Sequence, residues 1–249
     1  MRAILILALL AAALPARADG LADLKAALVR GAVHTPCKAQ LDTRTARKTG
    51  EGKDAEEEQG SASVMVDDGV RGMSLVYGKD ILARIELEQR AKVKDPNSKT
   101  PTLMALAELG PDDVLLLVSS AQAMQRTLDK AAFKGERADT YQGKPVRVLS
   151  FEIPMSTLGA RDLKYTKKFE AMLDVWVAPD GTPLASRMRQ SRSGRAFVVV
   201  TFDAAFDDQR VYGLVGERLV TLRRELAVKA SGAGEREDTR IVTTLSPQQ

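Results

Sequence analysis

His34 and Cys37 are the only histidine and the only cysteine of the chain, and they stand three residues apart. A thiol beside an imidazole is the minimum for a thiolate nucleophile, but the base also needs an orienting partner, and no local signature of that kind surrounds the pair. One histidine and one cysteine fall short of a usual set of zinc ligands, and one thiol cannot close an internal disulfide. Cys37 opens the alternating segment CKAQLDTRT and reads as a small apolar strand residue. Three acidic pairs come next: Asp67-Asp68, Asp112-Asp113 and Asp207-Asp208. Neighbours on a strand point to opposite faces, so such pairs are poorly placed to share a proton or a metal ion. The first suits a turn, the second a helix start and the third a loop. The run Glu56-Glu57-Glu58 reads as a solvated loop, where calcium would bind weakly and without specificity. No glycine-rich loop joins a strand to a helix to cradle phosphates. These residues predict no catalytic centre, no metal site and no cofactor.

The clearest local motif is VWVAPDGTPLAS, residues 175–186, which holds the only tryptophan. Pro179 presets its backbone angle, Asp180 can bond its own turn, and Gly181 accepts the positive φ that a tight hairpin needs. This is a scaffold corner. Trp176 lies on the less apolar side of its strand, where it covers a sheet edge or lines a cavity.

The elements around these residues follow from period. Leu21, Leu24 and Leu28 predict a helix over 19–30, stopped by Gly31. Cys37, Ala39, Leu41, Thr43 and Thr45 alternate with polar residues, as in a half-buried strand. Residues 49–60 read as a polar connection. Strands are predicted over 61–66, with a turn at Asp67-Asp68-Gly69, over 70–77, and over 81–93, where Ile81, Ala83, Ile85 and Leu87 alternate with Leu82, Arg84, Glu86 and Glu88. After a break at 95–100, Pro101 starts a helix, and Pro111-Asp112-Asp113 starts a second that carries Val114, Leu117, Val118, Ala121, Met124 and Leu128 as one stripe. Strands resume at 138–141 and 144–153 around Gln142-Gly143. They continue at 169–178, 184–190, 196–202, 218–228 and 238–245, the last two joined across Gly232-Ala233-Gly234. Residues 154–166 read as irregular.

The ends and the composition bound the setting. Arg2, the apolar run Ile4–Leu14, and Ala16 and Ala18 form the pattern of a secretory signal cut between Ala18 and Asp19. As a helix that run spans about 16 Å, against a hydrocarbon core of roughly 30 Å, so it is too short to cross a bilayer. The expected mature chain is a single domain over 19–249, exported and soluble in the periplasm. Removing Arg2 and Arg17 takes the 37 cations to 35 against 33 acids, a near balance that, with aromatics at 4%, gives no nucleic-acid surface.

The element order is helix, strands, an apolar helical pair, then more strands. Together with the hairpin VWVAPDGTPLASRMR, it resembles the LolA/LolB-like lipoprotein-carrier superfamily of the periplasm. The resemblance implies an α+β fold: a strongly curved, unclosed antiparallel β-sheet, a half-barrel, covered by an α-helical lid. It also implies a non-catalytic carrier or binding protein for a lipid, acyl chain or lipoprotein, in peripheral contact with membranes. Carriers of this kind hold the lid with an arginine on an early strand, the region of Arg44 and Arg47 here, although no local motif assigns the role to either. The residues expected to line the cavity are Val64, Val66, Leu75, Ile85, Leu87, Leu117, Val118, Met124, Leu173 and Val175. An unclosed sheet needs cover for its apolar face, and the 114–128 stripe can supply it, tightly as a core or loosely as a cavity. Two other classes stay open: a module binding an envelope protein through loop 49–60 and the sheet rims, and a hydrolase whose site forms only in three dimensions.

Overall fold

The computed structural model describes residues 19–196 and 200–248, so the expected signal segment, 1–18, lies outside the described residues. The chain runs α1 (Gly20–Gly31), β1 (Cys37–Thr49), β2 (Glu56–Gly69), β3 (Gly72–Tyr77), α2 (Lys79–Lys94), α3 (Pro101–Ala107), α4 (Pro111–Val118), α5 (Ser120–Leu128), β4 (Ala132–Tyr141), β5 (Lys144–Glu152), α6 (Ala160–Tyr165), β6 (Thr166–Val177), β7 (Pro183–Ala196), β8 (Val200–Val215), β9 (Arg218–Gly232) and β10 (Glu235–Pro247). It is an α+β fold. All ten strands join one antiparallel sheet in the order β3-β2-β1-β10-β9-β8-β7-β6-β5-β4, and β3 and β4 do not pair to close it.

That order explains where the helices lie. β3 and β4 follow each other in the chain but form opposite edges of the sheet, so residues 78–131 must cross it, and they cross as α2 to α5. The crossing buries one face. Leu24 and Leu28 of α1 and Ala121, Met124 and Leu128 of α5 pack on Leu149, Phe151, Leu173, Val175, Val177 and Leu219. Val114, Leu117 and Val118 of α4 pack with Leu109 on Cys37, Ala39, Leu41, Val64, Val66, Val220 and Leu245. The opposite face is wet and laced with ion pairs such as Arg187–Asp207 (2.6 Å), Arg189–Asp174 (3.1 Å) and Arg240–Glu225 (2.8 Å). This is the usual habit of an antiparallel sheet covered on one side.

α1 begins where Asp19 accepts hydrogen bonds from the Leu21 and Ala22 amides, at 3.0 and 3.4 Å. The 179–182 turn docks against it. Thr182 N–H donates to the Asp180 carboxylate at 3.0 Å, and Arg30 donates to the Asp180 carbonyl. Gly181 has φ 85°, and a Cβ there would sit 2.3 Å from the Asp23 carbonyl oxygen. Trp176 lies on the wet face and donates to Asp139 of edge strand β4 at 3.2 Å; of its two expected places it takes the sheet edge.

Five expectations are corrected. Residues 79–94 form a helix, not a strand: Ile81 and Ile85 fit an i, i+4 period as well as a period of two, and the segment is rich in helix formers. Ion pairs at i, i+4, Asp80–Arg84 and Glu86–Arg90, lie along it. Residues 56–60 are strand rather than loop, because their carboxylates face β1 cations: Glu57 lies opposite Lys48 and Glu58 opposite Arg47. β2 therefore runs through Asp67-Asp68-Gly69, and the turn falls at Val70-Arg71. The expected loop at Asp207-Asp208 lies within β8. Finally, the 111–128 stripe is two helices divided at Ser119, whose φ of −125° is not helical.

Candidate ligand-binding site

The division at Ser119 has a cause in the sheet below it. Arg218, at the start of β9, is 2% exposed; its guanidinium donates to the Val118 carbonyl, the Ser119 hydroxyl (2.9 Å), the Thr35 carbonyl (3.0 Å) and the Asp68 carboxylate. A carbonyl engaged by a guanidinium is drawn away from the amide four residues on, so the helix breaks and restarts. Ser120 then bonds Thr221 of β9 at 2.7 Å. One cation in VGERLV thus ties the helix layer, the 32–36 connection and β2 together. Of the two arginines on β1, Arg44 is exposed and Arg47 pairs with Glu237.

Beside this anchor, between α4–α5 and strands β6 to β8, lies a crevice of about 140 Å³. Its helix side is Leu116, Ala123, Met124 and Thr127; its sheet side is Leu173, Met188, Ser186, Asp208, Arg210 and Tyr212. The polar floor is fully engaged. Ser186 and Tyr212 share a hydrogen bond of 2.7 Å, and Asp208 accepts from Arg210 (2.8 Å) and Arg224 (3.2 Å). Burial pushes the Asp208 carboxyl up, but Arg210 and Arg224 outweigh it and hold the group below the usual carboxylate range. Burial pushes the Tyr212 phenol up and so keeps it protonated in its hydrogen bond with Ser186. Near the helix ends, burial and the neighbouring Asp113 raise the Glu108 carboxyl.

The crevice opens onto a strip that no sequence pattern singled out. Leu173, a core residue, lies opposite Met188, then Asp208, Leu226 and Ile241 on successive strands; Ala171 leads likewise to Gln190, Phe206, Val228 and Thr239. Directly opposed residues share a face, so Met188 at the crevice, and Phe206, Leu226 and Val228 beyond it, continue the face that α4 and α5 bury. All four are half-buried. Arg192 lies 5.3 Å from the centre of the Phe206 ring. A shallower depression of about 570 Å³ opens on the wet face among Glu170, Lys229, Asp203 and Arg236.

The residues expected to line a cavity are mostly packed core. Val64, Val66, Leu117 and Val118 lie in the α4 cluster, and Met124, Leu173 and Val175 in the α5 cluster; of these, only Met124 and Leu173 also border the crevice. Leu75 is half-buried against the α4 cluster. Ile85 packs on a separate group formed by Ala62, Ile81 and Ala105, and Leu87 is 65% exposed on α2; both assignments fall with the strand that was expected there. His34 is exposed beside the Gly69 carbonyl. Cys37 is buried among apolar residues, and that burial raises its thiol. The acidic pairs on strands split as their period requires: Asp67 meets Lys38 in solvent while Asp68 meets Arg218 inside, and Asp207 pairs with Arg187 while Asp208 faces the crevice. Among the described residues no group of three His, Cys, Asp or Glu side chains is placed to hold a metal ion, and no helix is long and apolar enough to cross a membrane. Comparisons with protein-family models, curated proteins and solved structures found no match to this chain.

Proposed function

We propose that this protein is a non-catalytic, periplasmic carrier or binding protein for an acyl chain or lipid, and that the ligand lies on the strip beyond the helices with one end in the crevice. In this reading the sheet is a half-barrel and α4–α5 its lid, as the resemblance to the lipoprotein carriers implies. The observation that carries it is the helix-side face of β7 to β9, where Phe206, Leu226 and Val228 lie half-buried outside both core clusters, next to Met188 in the crevice. An acyl chain covering that strip gains about 0.8 kcal/mol for each buried CH₂. The crevice alone accommodates a short end, and the strip supplies the length. The residues packed under α4 and α5 hold the scaffold and leave ligand contact to this neighbouring surface.

Lipid extraction and native mass spectrometry of protein purified from its own compartment test the reading, together with displacement of a fluorescent fatty acid. The expected result is a bound amphiphile and dye binding that Val228→Asp weakens by more than about tenfold without loss of fold. Ligand-free protein that also leaves the dye in solution sinks the proposal.

A further inference from the structure

The two edges of the sheet are finished differently. β4 carries Lys134, Glu136, Arg137 and Asp139, and a bulge at Gly135 interrupts its ladder. Charges and bulges are the usual devices that stop an edge from recruiting another strand. The part of β2 that extends past β3 is covered: Ile81 of α2 packs on Ala62, and Lys99 donates to the Glu57 carbonyl at 2.8 Å. β3 has neither device. Its sequence, GMSLVY, is uncharged, β-prone and free of proline; among the described residues it pairs only with β2. Val76 is 55% exposed and Tyr77 38%. Just outside its ends stand two exposed cations, Arg71 and Lys79, neither in an ion pair with a described residue.

We propose that the β3 edge docks an extended segment of a partner protein as an eleventh strand, and that this segment has an apolar, alternating centre bracketed by carboxylates. The backbone row asks for a strand, the uncharged centre for an uncharged one, and Arg71 and Lys79 for acids at both ends. The same charges disfavour a second copy of this chain. The two antiparallel registers that keep the buried faces aligned centre on Ser74 or Leu75, and the latter sets Arg71 opposite Lys79. Both gather four cations around a seam whose nearest carboxylates, Asp67 and Asp80, are taken by Lys38 and Arg84. The proposal does not depend on the carrier reading.

The probe is a capped peptide, Glu-Glu-Val-Thr-Val-Thr-Val-Glu-Glu, and its counterpart with lysine for every glutamate. The acid-ended peptide is expected to bind and to protect amides of residues 72–77 from hydrogen exchange. The lysine-ended one should bind at least about tenfold more weakly at low salt, a gap that closes as salt rises. Ser74→Lys and Val76→Lys place charge on the wet side of β3, should keep the melting temperature, and should abolish binding. Arg71→Ala with Lys79→Ala should erase the preference between peptides. No binding, protection elsewhere, equal affinity for both peptides, or dimerisation of the protein alone that Val76→Lys dissolves would each overturn the proposal.

Discussion

Along β8 the side chains facing the helices are Tyr212, Arg210, Asp208, Phe206, Ala204 and Phe202, and the first three have different surroundings from the last three. Tyr212 sits in the core and Asp208 and Arg210 line the crevice, all within reach of α5. Phe206, Ala204 and Phe202 lie on the same face of the same strand, yet stay half-exposed, outside the clusters that α4 and α5 cover. The covered half is tightly packed and carries buried charge only in paired form. The other half carries Phe202 and Phe206 beyond α4 and α5, where Arg192, held by Asp162 of α6, lies over the Phe206 ring. Two functions of one face, holding the fold together and offering a surface, are divided along the strand.

Substitutions can break that comparison, beginning with the covered half. Val118→Asp places an unpaired charge in a dry core and should cost about 4–5 kcal/mol in urea unfolding. The same change at Val228 should cost less than about 1 kcal/mol; equal losses would mean that the two halves are packed alike. Arg218→Met removes one partner of a buried ion pair and strands Asp68, with an expected cost of about 3–5 kcal/mol. Hydrogen exchange should then show α4 and α5 opening together with the 32–36 connection, because one guanidinium joins them.

Asp208→Asn leaves Arg210 and Arg224, directly opposed on β8 and β9, without their shared carboxylate and should cost about 3 kcal/mol at neutral pH. The pH dependence has a definite sign. The folded-state value of Asp208 is depressed, so its contribution is complete above the unfolded value of about 3.9 and is lost as pH falls through the lower folded value. Acid unfolding curves of wild type and Asp208→Asn should therefore converge below that range and separate above it. The smallest effect belongs to the wet face, where Arg189→Ala should change stability by less than about 0.5 kcal/mol, since its partner Asp174 also accepts from Ser150.

Much of the fold was readable from period. β1, the 142–143 and 179–182 turns, the 232–234 hairpin loop and the start of α4 all stand where local pattern placed them. α2 reads as a strand because Ile81 and Ile85 satisfy two periods at once; its many helix formers favour the helix, and the exposed ion pairs four residues apart add only a few tenths of a kcal/mol each. Residues 56–60 were misread because a run of glutamates looks solvated until Arg47 and Lys48 are known to lie across from it. The candidate site was less legible. Arg218 is one cation among many in the sequence, and Phe206, Leu226 and Val228 alternate with alanines and charged residues as core positions do in a half-buried strand.

By itself the amino-acid order determined which residues of β1 and β6 share a face, where the 142–143 and 179–182 turns close, and that histidine and cysteine are few, since these depend on composition and on neighbours two to four positions away. Which part of that shared face is core and which is surface was decided only by tertiary structure. The helices joining β3 to β4 must cross from one edge of the sheet to the other, and the line they take sets where cover ends. No local spacing encodes that line.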